Sequence, residues 1–492
     1  MNRGLVVFLA GLSFIGTVSL YAQEPAGGRE LLLTLEEASR MALRNNLDIQ
    51  IARFDASMKR KDLAGAVSVF DAILNARASY SDDRLQRTNS FVGSRDLTSE
   101  YGLGISKKLP TGTTVGVDVE HTRGWTNSAF ATVNPAHDSR AKLSLQQEIG
   151  KNFFGLLDRL EVKITQLDIE NADYTSLDKI EEQLAGVQKT YWQVVLNLRK
   201  VDIRKAMLRE AEKLYRIYQH KLDIGLAELP DLYAAEANVN VRMNELSLSE
   251  NDLYRALSDL MLGLNIDVRD QVRLLPADTF MISGAAEERF DEALRRAIEN
   301  RRDYKRARND VSSRKLNLVM KKNSLWPEID LEASLIRNGV AAKFNESAQN
   351  VSDSDNPDYY FGVTVSFPLE NTKARGEHRA AGLEKAKSLL MLKKTERKIA
   401  VEVHDYVMLV NTALSRARTA RKTVELQGLK LKEEEKRLRY GRSDSDTLIR
   451  FQNDLLTAQM EYLNAVYGFY AFRVDLALVQ NALLGEQWRD TL

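Results

Sequence analysis

The residue types that usually carry chemistry are thinly spread in this chain and show no recognisable spacing. Five histidines, His121, His137, His220, His378 and His404, share no metal-ligand spacing, and there is no cysteine. Thiolate catalysis, disulfides and cysteine-based metal sites are therefore excluded. Gly102-Leu103-Gly104 lacks the third glycine and following helix of a nucleotide-binding loop, and reads as strand spacing. No Ser/His/Asp order and no carboxylate pair stands out from the charged background. The expectation is no enzyme, no cofactor and no metal. Seventy basic and 69 acidic residues cancel, which gives no reason to expect a nucleic-acid partner. What remains is polarity arranged to separate two environments, and the elements that arrange it carry the function.

Those elements occur twice. Residues 35–80 lie without a gap on residues 290–335, with 13 of 46 positions identical. The identities include Glu37/Glu292, Ala38/Ala293, Arg40/Arg295, Asn45/Asn300, Asp48/Asp303, Leu63/Leu318 and Ala78-Ser79/Ala333-Ser334. A duplication of this length means two copies of one supersecondary unit. Both copies pass from helical periodicity into strand alternation.

The first repeat is expected over 23–264. Thr34 and Glu37 fit a capping box, opening a short helix to about Asn45 and a longer one from Asp48 to Val69. Ala72, Leu74, Ala76, Ala78 and Tyr80 then alternate with mostly polar neighbours, predicting a strand over 71–80 between unlike environments. A polar loop follows over 81–98. A hairpin over 99–123 turns at Leu109-Pro110-Thr111-Gly112-Thr113, and another strand covers 139–148. The long helix 151–222 carries a heptad stripe at Leu177, Ile180, Leu184, Val187, Tyr191, Val194, Leu198 and Val201. Gly225 and Pro230 reverse it into a helix over 229–264.

An irregular linker, 265–288, leads to the second repeat, 289–486. Strands are expected at 328–336 and 358–368, with a polar loop over 337–357 between them. Long helices follow at 372–440 and 446–485. The second stripe is Ile399, Val403, Tyr406, Val410, Ala413, Ala417, Ala420 and Val424, and Gly441 marks the second reversal. Gly225 and Gly441 align at a shift of 216 rather than 255, so the first repeat holds 39 more residues between strand and helix. The hairpin with its loops has that size. It reads as an insertion lying outside a core of two strands per repeat, four per chain.

Residues 1–22 resemble a secretory signal, with Arg3, an apolar run and cleavage expected after Ala22. Beyond them no apolar run of about 18 residues occurs, so strands must cross any membrane the protein spans. Four strands cannot close a barrel alone, and lipid cannot satisfy open strand edges. Several identical chains sharing one wall resolve this, and three would supply twelve strands.

The layout resembles the TolC family of outer membrane efflux proteins. The resemblance rests on LTLEEASRMALRNNLDI and its echo RFDEALRRAIENRRDY, the step LWPEIDLEASL, and the strand end VSFPLENTKARGEHRAA. The reversal segments KLDIGLAELPDLYAAEANV and RLRYGRSDSDTLIRFQNDL complete it, so that it covers about 33–485. It implies a mainly α fold of long antiparallel coiled-coil helices forming a periplasmic α-barrel, joined to a trimeric outer-membrane β-barrel. The implied role is a passive exit duct for small molecules or proteins in a tripartite efflux or type I secretion system. Its implied partners are a periplasmic adaptor, an inner-membrane transporter and outer-membrane lipid.

The resemblance also directs attention to the two reversals, where the family closes its tunnel and meets its adaptor. Asp231 stands six residues after Gly225, where the family tends to carry an acid. After Gly441, Thr447 and Arg450 stand at the family's acidic positions, while Asp444 and Asp446 lie nearby as a shifted acidic ring. Asp231 and Asp446 are equally suited to capping helix N-termini. Tyr80, Tyr101, Trp125, Tyr359 and Phe361 could form interfacial girdles. The competing reading is an exported coiled-coil adaptor or scaffold, which the alternating strands argue against.

Overall fold

The computed structural model describes residues 30–87, 93–270, 272–353, 355–440 and 442–485; the signal-like segment and Gly441 lie outside them. The first repeat opens with β1 (Glu30–Leu33), α1 (Leu35–Asn45), α2 (Leu47–Arg60) and α3 (Asp62–Val67). The capping box forms in full: Glu37 N donates to Thr34 Oγ1 at 3.2 Å, and Thr34 N to Glu37 Oε2 at 2.8 Å. Asn46 breaks α1 from α2 and caps the latter through Ile49 N. Four strands follow, β2 (Ala72–Asp83), β3 (Asp96–Lys108), β4 (Thr113–Thr126) and β5 (Ala136–Glu148). Helix α4 (Leu156–Asp223) and its return α5 (Leu229–Gly263) complete the repeat.

The second repeat has β6 (Arg273–Pro276) before it, then α6 (Phe290–Asn300), α7 (Arg302–Asn323), β7 (Glu328–Ala341), α8 (Phe344–Asp353) and β8 (Asp358–Ser366). Helices α9 (Thr372–Arg439) and α10 (Ser445–Val479) end it. With 68 residues each, α4 and α9 are about 100 Å long at the usual rise. Near the sheet they run beside α2 and α7; at the far end they pair with α5 and α10, and α4 also touches α10.

The heptad stripes become the seams between these helices. Ile180, Leu184, Val187, Tyr191, Val194 and Val201 are buried, as are Ile399, Val403, Val410, Ala413 and Ala417. Where the duplicated α1 and α6 pack on α4 and α9, Ala38 and Ala42 match Ala293 and Ala297, and all four are buried. The same contact is built twice from the same residue type.

Three expectations are corrected. The hairpin is not outside the sheet: the order is β2-β3-β4-β5-β7-β8, antiparallel throughout, so the chain brings six strands rather than four. The reason is register, since every residue of β2 pairs with β3 and β4 pairs with β5 over twelve positions. The linker is not wholly irregular, because β6 pairs parallel with β1, Leu31 opposite Leu274. The loop 337–357 instead extends β7 to Ala341 and forms α8.

Helix α8 lies on the sheet at β5 and β7. Ser347 Oγ donates to the Gly339 carbonyl at 2.8 Å and to Ser139 Oγ at 2.7 Å. A β-carbon on residue 339 would strike the Ser347 carbonyl, so glycine permits this approach. Arg337 reaches the Ser352 carbonyl at 3.4 Å, placing a cation at the last turn of α8.

Candidate functional site at the sheet and the hairpin tips

The sheet sorts its side chains by polarity. Leu74, Ile105, Val117, Leu143, Leu335 and Tyr359 stand opposite one another in a row through all six strands. Leu103, Val119 and Ala141 continue this face in the next row. In the single chain it is bare away from α8, with Leu74 63% and Phe361 80% exposed. The opposite face carries Asn75, Gly104, Asp118 and Lys142 in one row and Arg77, Gly102, Glu120, Arg140 and Asn338 in another. Strands of 12 to 14 residues in β2 to β5 and β7 exceed the roughly 9–11 needed to cross a bilayer. Tyr80, Tyr101 and Trp125 lie toward the loop ends of β2 to β4, on the apolar face. Tyr359 and Phe361 share that face, but within the apolar rows of β8.

At the other end of the molecule the hairpins turn back. Gly225 takes φ 73°, in the left-handed region that favours glycine. Its N–H meets the Leu222 carbonyl, and Leu226 N reaches the Lys221 carbonyl at 2.7 Å, satisfying the last turn of α4. Arg442 N reaches Arg437 O at 2.9 Å in the matching bond of the second reversal. The two tips share this one backbone bond, from the residue after each glycine to a carbonyl five residues earlier.

The tip acids divide by role. Asp444 is the N-cap of α10, accepting from Thr447 N at 2.7 Å. That bond, with the Arg450 charge added, holds its carboxyl below the usual range. Asp446 lies in the first turn and is not the cap, which corrects the alternative role expected for it. Asp231 is the third residue of α5, where one oxygen accepts from Glu228 N and the other from Ser445 Oγ at 3.0 Å. Arg450 is exposed, its guanidinium 5.6 Å from the Phe451 ring, with Lys430 Nζ 3.7 Å from the same ring.

The structure thus gathers Asp231, Asp444 and Asp446 around two residues that the sequence did not mark. Tyr218 is buried beside Ser445; burial pushes its hydroxyl pKa up, and all three carboxylates push the same way. Arg242, 3% exposed, binds Glu245 at 2.8 Å and reaches Asn453 of α10. Glu434, also buried, accepts from Ser443 and Arg437. Serine and arginine at such positions give no periodic signal, so only the crossing of helices reveals them.

A sheet apolar on one face and polar on the other, carried on paired helices of 68 residues, is the architecture of a wall that separates hydrocarbon from water. Comparisons agree. Residues 293–479 match the outer membrane efflux protein family model. CusC, solved in a study of folding and transmembrane channel formation, superposes with TM-score 0.69 at 14% identity, over 94% of this chain and 95% of that one. The outer membrane protein VceC of Vibrio cholerae gives 0.64 at 14% identity, over 90% and 95%. The open MtrE outer membrane channel of Neisseria gonorrhoeae gives 0.65 at 14% identity, over 91% and 88%. No curated protein matches the sequence. The resemblance to the TolC family is supported to this extent: residues 293–479 match the outer membrane efflux protein model, and the chain as a whole has the fold of these outer membrane channels.

Proposed function

We propose that identical copies of this chain, three in number, join β8 of one to β2 of the next and form a passive exit duct through the outer membrane. One observation carries this reading. The described sheet has an apolar face, a polar face and two unpaired edges, β2 and β8. Hydrocarbon tolerates the first but not open backbone edges, so the sheet must be closed by further copies around water. The helices extend into the periplasm as a second, α-helical conduit. Their tips are the contact for a periplasmic adaptor, and an inner-membrane transporter supplies the energy. Tyr218, Asp231, Asp444, Ser445, Asp446 and the reversals at Gly225 and Gly441 form the entrance.

Charge placed on either face tests the reading. Leu143→Arg should remove most of the heat-sensitive oligomer from detergent extracts, since arginine at mid-bilayer on a lipid face costs about 2–4 kcal/mol. Ser144→Arg, on the polar face, should assemble as wild type. Release of the unaltered protein from membranes without detergent, as a monomer, would refute the duct.

A further inference from the structure

We infer that the outer mouth of the duct is an eighteen-stranded barrel wide enough to admit macromolecules. This rests on the trimeric reading above. Three copies of the observed six-stranded sheet make eighteen strands, where the resemblance implied twelve. Barrel diameter grows roughly linearly with strand number, so the mouth is about half as wide again. Barrels of roughly 16–18 strands leave an aqueous channel.

The extra width comes from β3 and β4. The duplicated strands β2 and β7 keep equivalent faces: Ala78 and Ala333 point to the apolar side, while Ser79 and Ser334 point to the polar side. In the second repeat β7 pairs directly with β8. In the first, β3 and β4 are interposed between β2 and β5 with continuous pairing on both sides. Their alternation matches their neighbours, with Ile105 and Val117 on the apolar face. They are wall, not appendage.

The inner side of the inserted pair is also cleared of bulk. Gly102, Gly104, Gly116 and Gly124 fall on the polar face, beside the acids Glu100, Asp118 and Glu120. Glycine weakens a strand interior, and here it leaves four positions of this face without side-chain volume. Glu100 is tied to the wall by Ser79 Oγ at 3.0 Å and by Arg77 at 3.7 Å. By register, Asp118 stands opposite Lys142 and Glu120 opposite Arg140. The added surface is therefore short, anionic and held flat. Helix α8 packs over Ser139 and Gly339 on the other face, and adds nothing to the lumen.

The absence of cysteine permits a direct test. Ser144→Cys places one thiol on the lumen face. In intact cells it should react with both a small maleimide and a maleimide carried on a polyethylene glycol of protein size. Deleting residues 96–133 in that background lets β2 meet β5 as β7 meets β8. This variant should still run as a heat-sensitive oligomer and keep the small label, while losing at least tenfold of the large one. Equal large labelling in both proteins, or none in either, would overturn the proposal. If the deletion variant fails to assemble, electron cryo-microscopy of the unaltered protein decides: eighteen strands support it, and twelve with β3 and β4 outside the wall overturn it. A protein that does not enter the membrane shows no heat-sensitive oligomer, which separates failure of the duct from failure of the width.

Discussion

Ser445 donates its hydroxyl to Asp231 at 3.0 Å, joining the first turns of two helices that belong to different repeats. The bond spans 214 residues of sequence and lies where α4, α5 and α10 meet. Asp231 already serves the N-terminus of its own helix, so one carboxylate both fixes α5 and ties it to α10. On the proposed reading of the tips as an entrance, widening it would break or stretch this link.

Ser445→Ala should loosen the two tips without unfolding the helices. A hydrogen bond to a charged acceptor contributes about 1.5 kcal/mol or more. Amide exchange across the first two turns of α5 and α10 should accelerate roughly tenfold, with the α4 seam near Tyr191 unchanged. Unaltered exchange at both tips would show that the link holds nothing.

Arg450 offers the one exposed cation in the first two turns of α10, beside Asp444 and over Phe451. If it lines the entrance, Arg450→Ala trimers in planar bilayers should become more cation-selective, because the acids Asp231, Asp444 and Asp446 then act unopposed. Unchanged selectivity would remove Arg450 from the pore lining.

Arg302 and Glu181 join the repeats midway along the molecule. Glu181 is fully buried and accepts from Arg302, from Asn481 Nδ2 at 2.7 Å and from the amides of Leu483 and Leu484. Arg302→Met leaves that carboxylate without its cation and should destabilise the protein by about 3 kcal/mol or more. Thermal unfolding followed by circular dichroism in detergent measures it.

Acid should weaken the neighbouring contact. Burial alone would raise the Asp303 carboxyl pKa, but the Arg301 guanidinium, bonded at 2.6 and 2.9 Å, outweighs this and holds it below the usual range. A carboxylate depressed on folding stabilises above its unfolded pKa and loses that contribution as pH falls through the folded one. The melting temperature should therefore drop below about pH 4. Asp303→Asn should be less stable than wild type at neutral pH and flatter in acid.

Much of the architecture was legible because it is periodic. Leu184, Val187, Tyr191 and Val194 announced a seam by spacing alone, and they are buried as spacing required. The alternation of Leu74, Ala76 and Ala78 identified a strand between unlike media, and the duplication supplied its counterpart. Asp231 was visible beside its glycine, but its bond to Ser445 was not.

What the chain encodes locally is therefore period, cap and turn: the 3.5-residue stripe, the Thr34–Glu37 box and the left-handed Gly225. These depend on neighbours in sequence. Only the folded molecule decided that the hairpin enters the sheet, that β6 finds β1, and that Tyr218, Asp231 and Ser445 meet. A strand's alternation states which faces it has, but not which edge it pairs with, because every backbone offers the same hydrogen bonds and register is fixed only when partners meet.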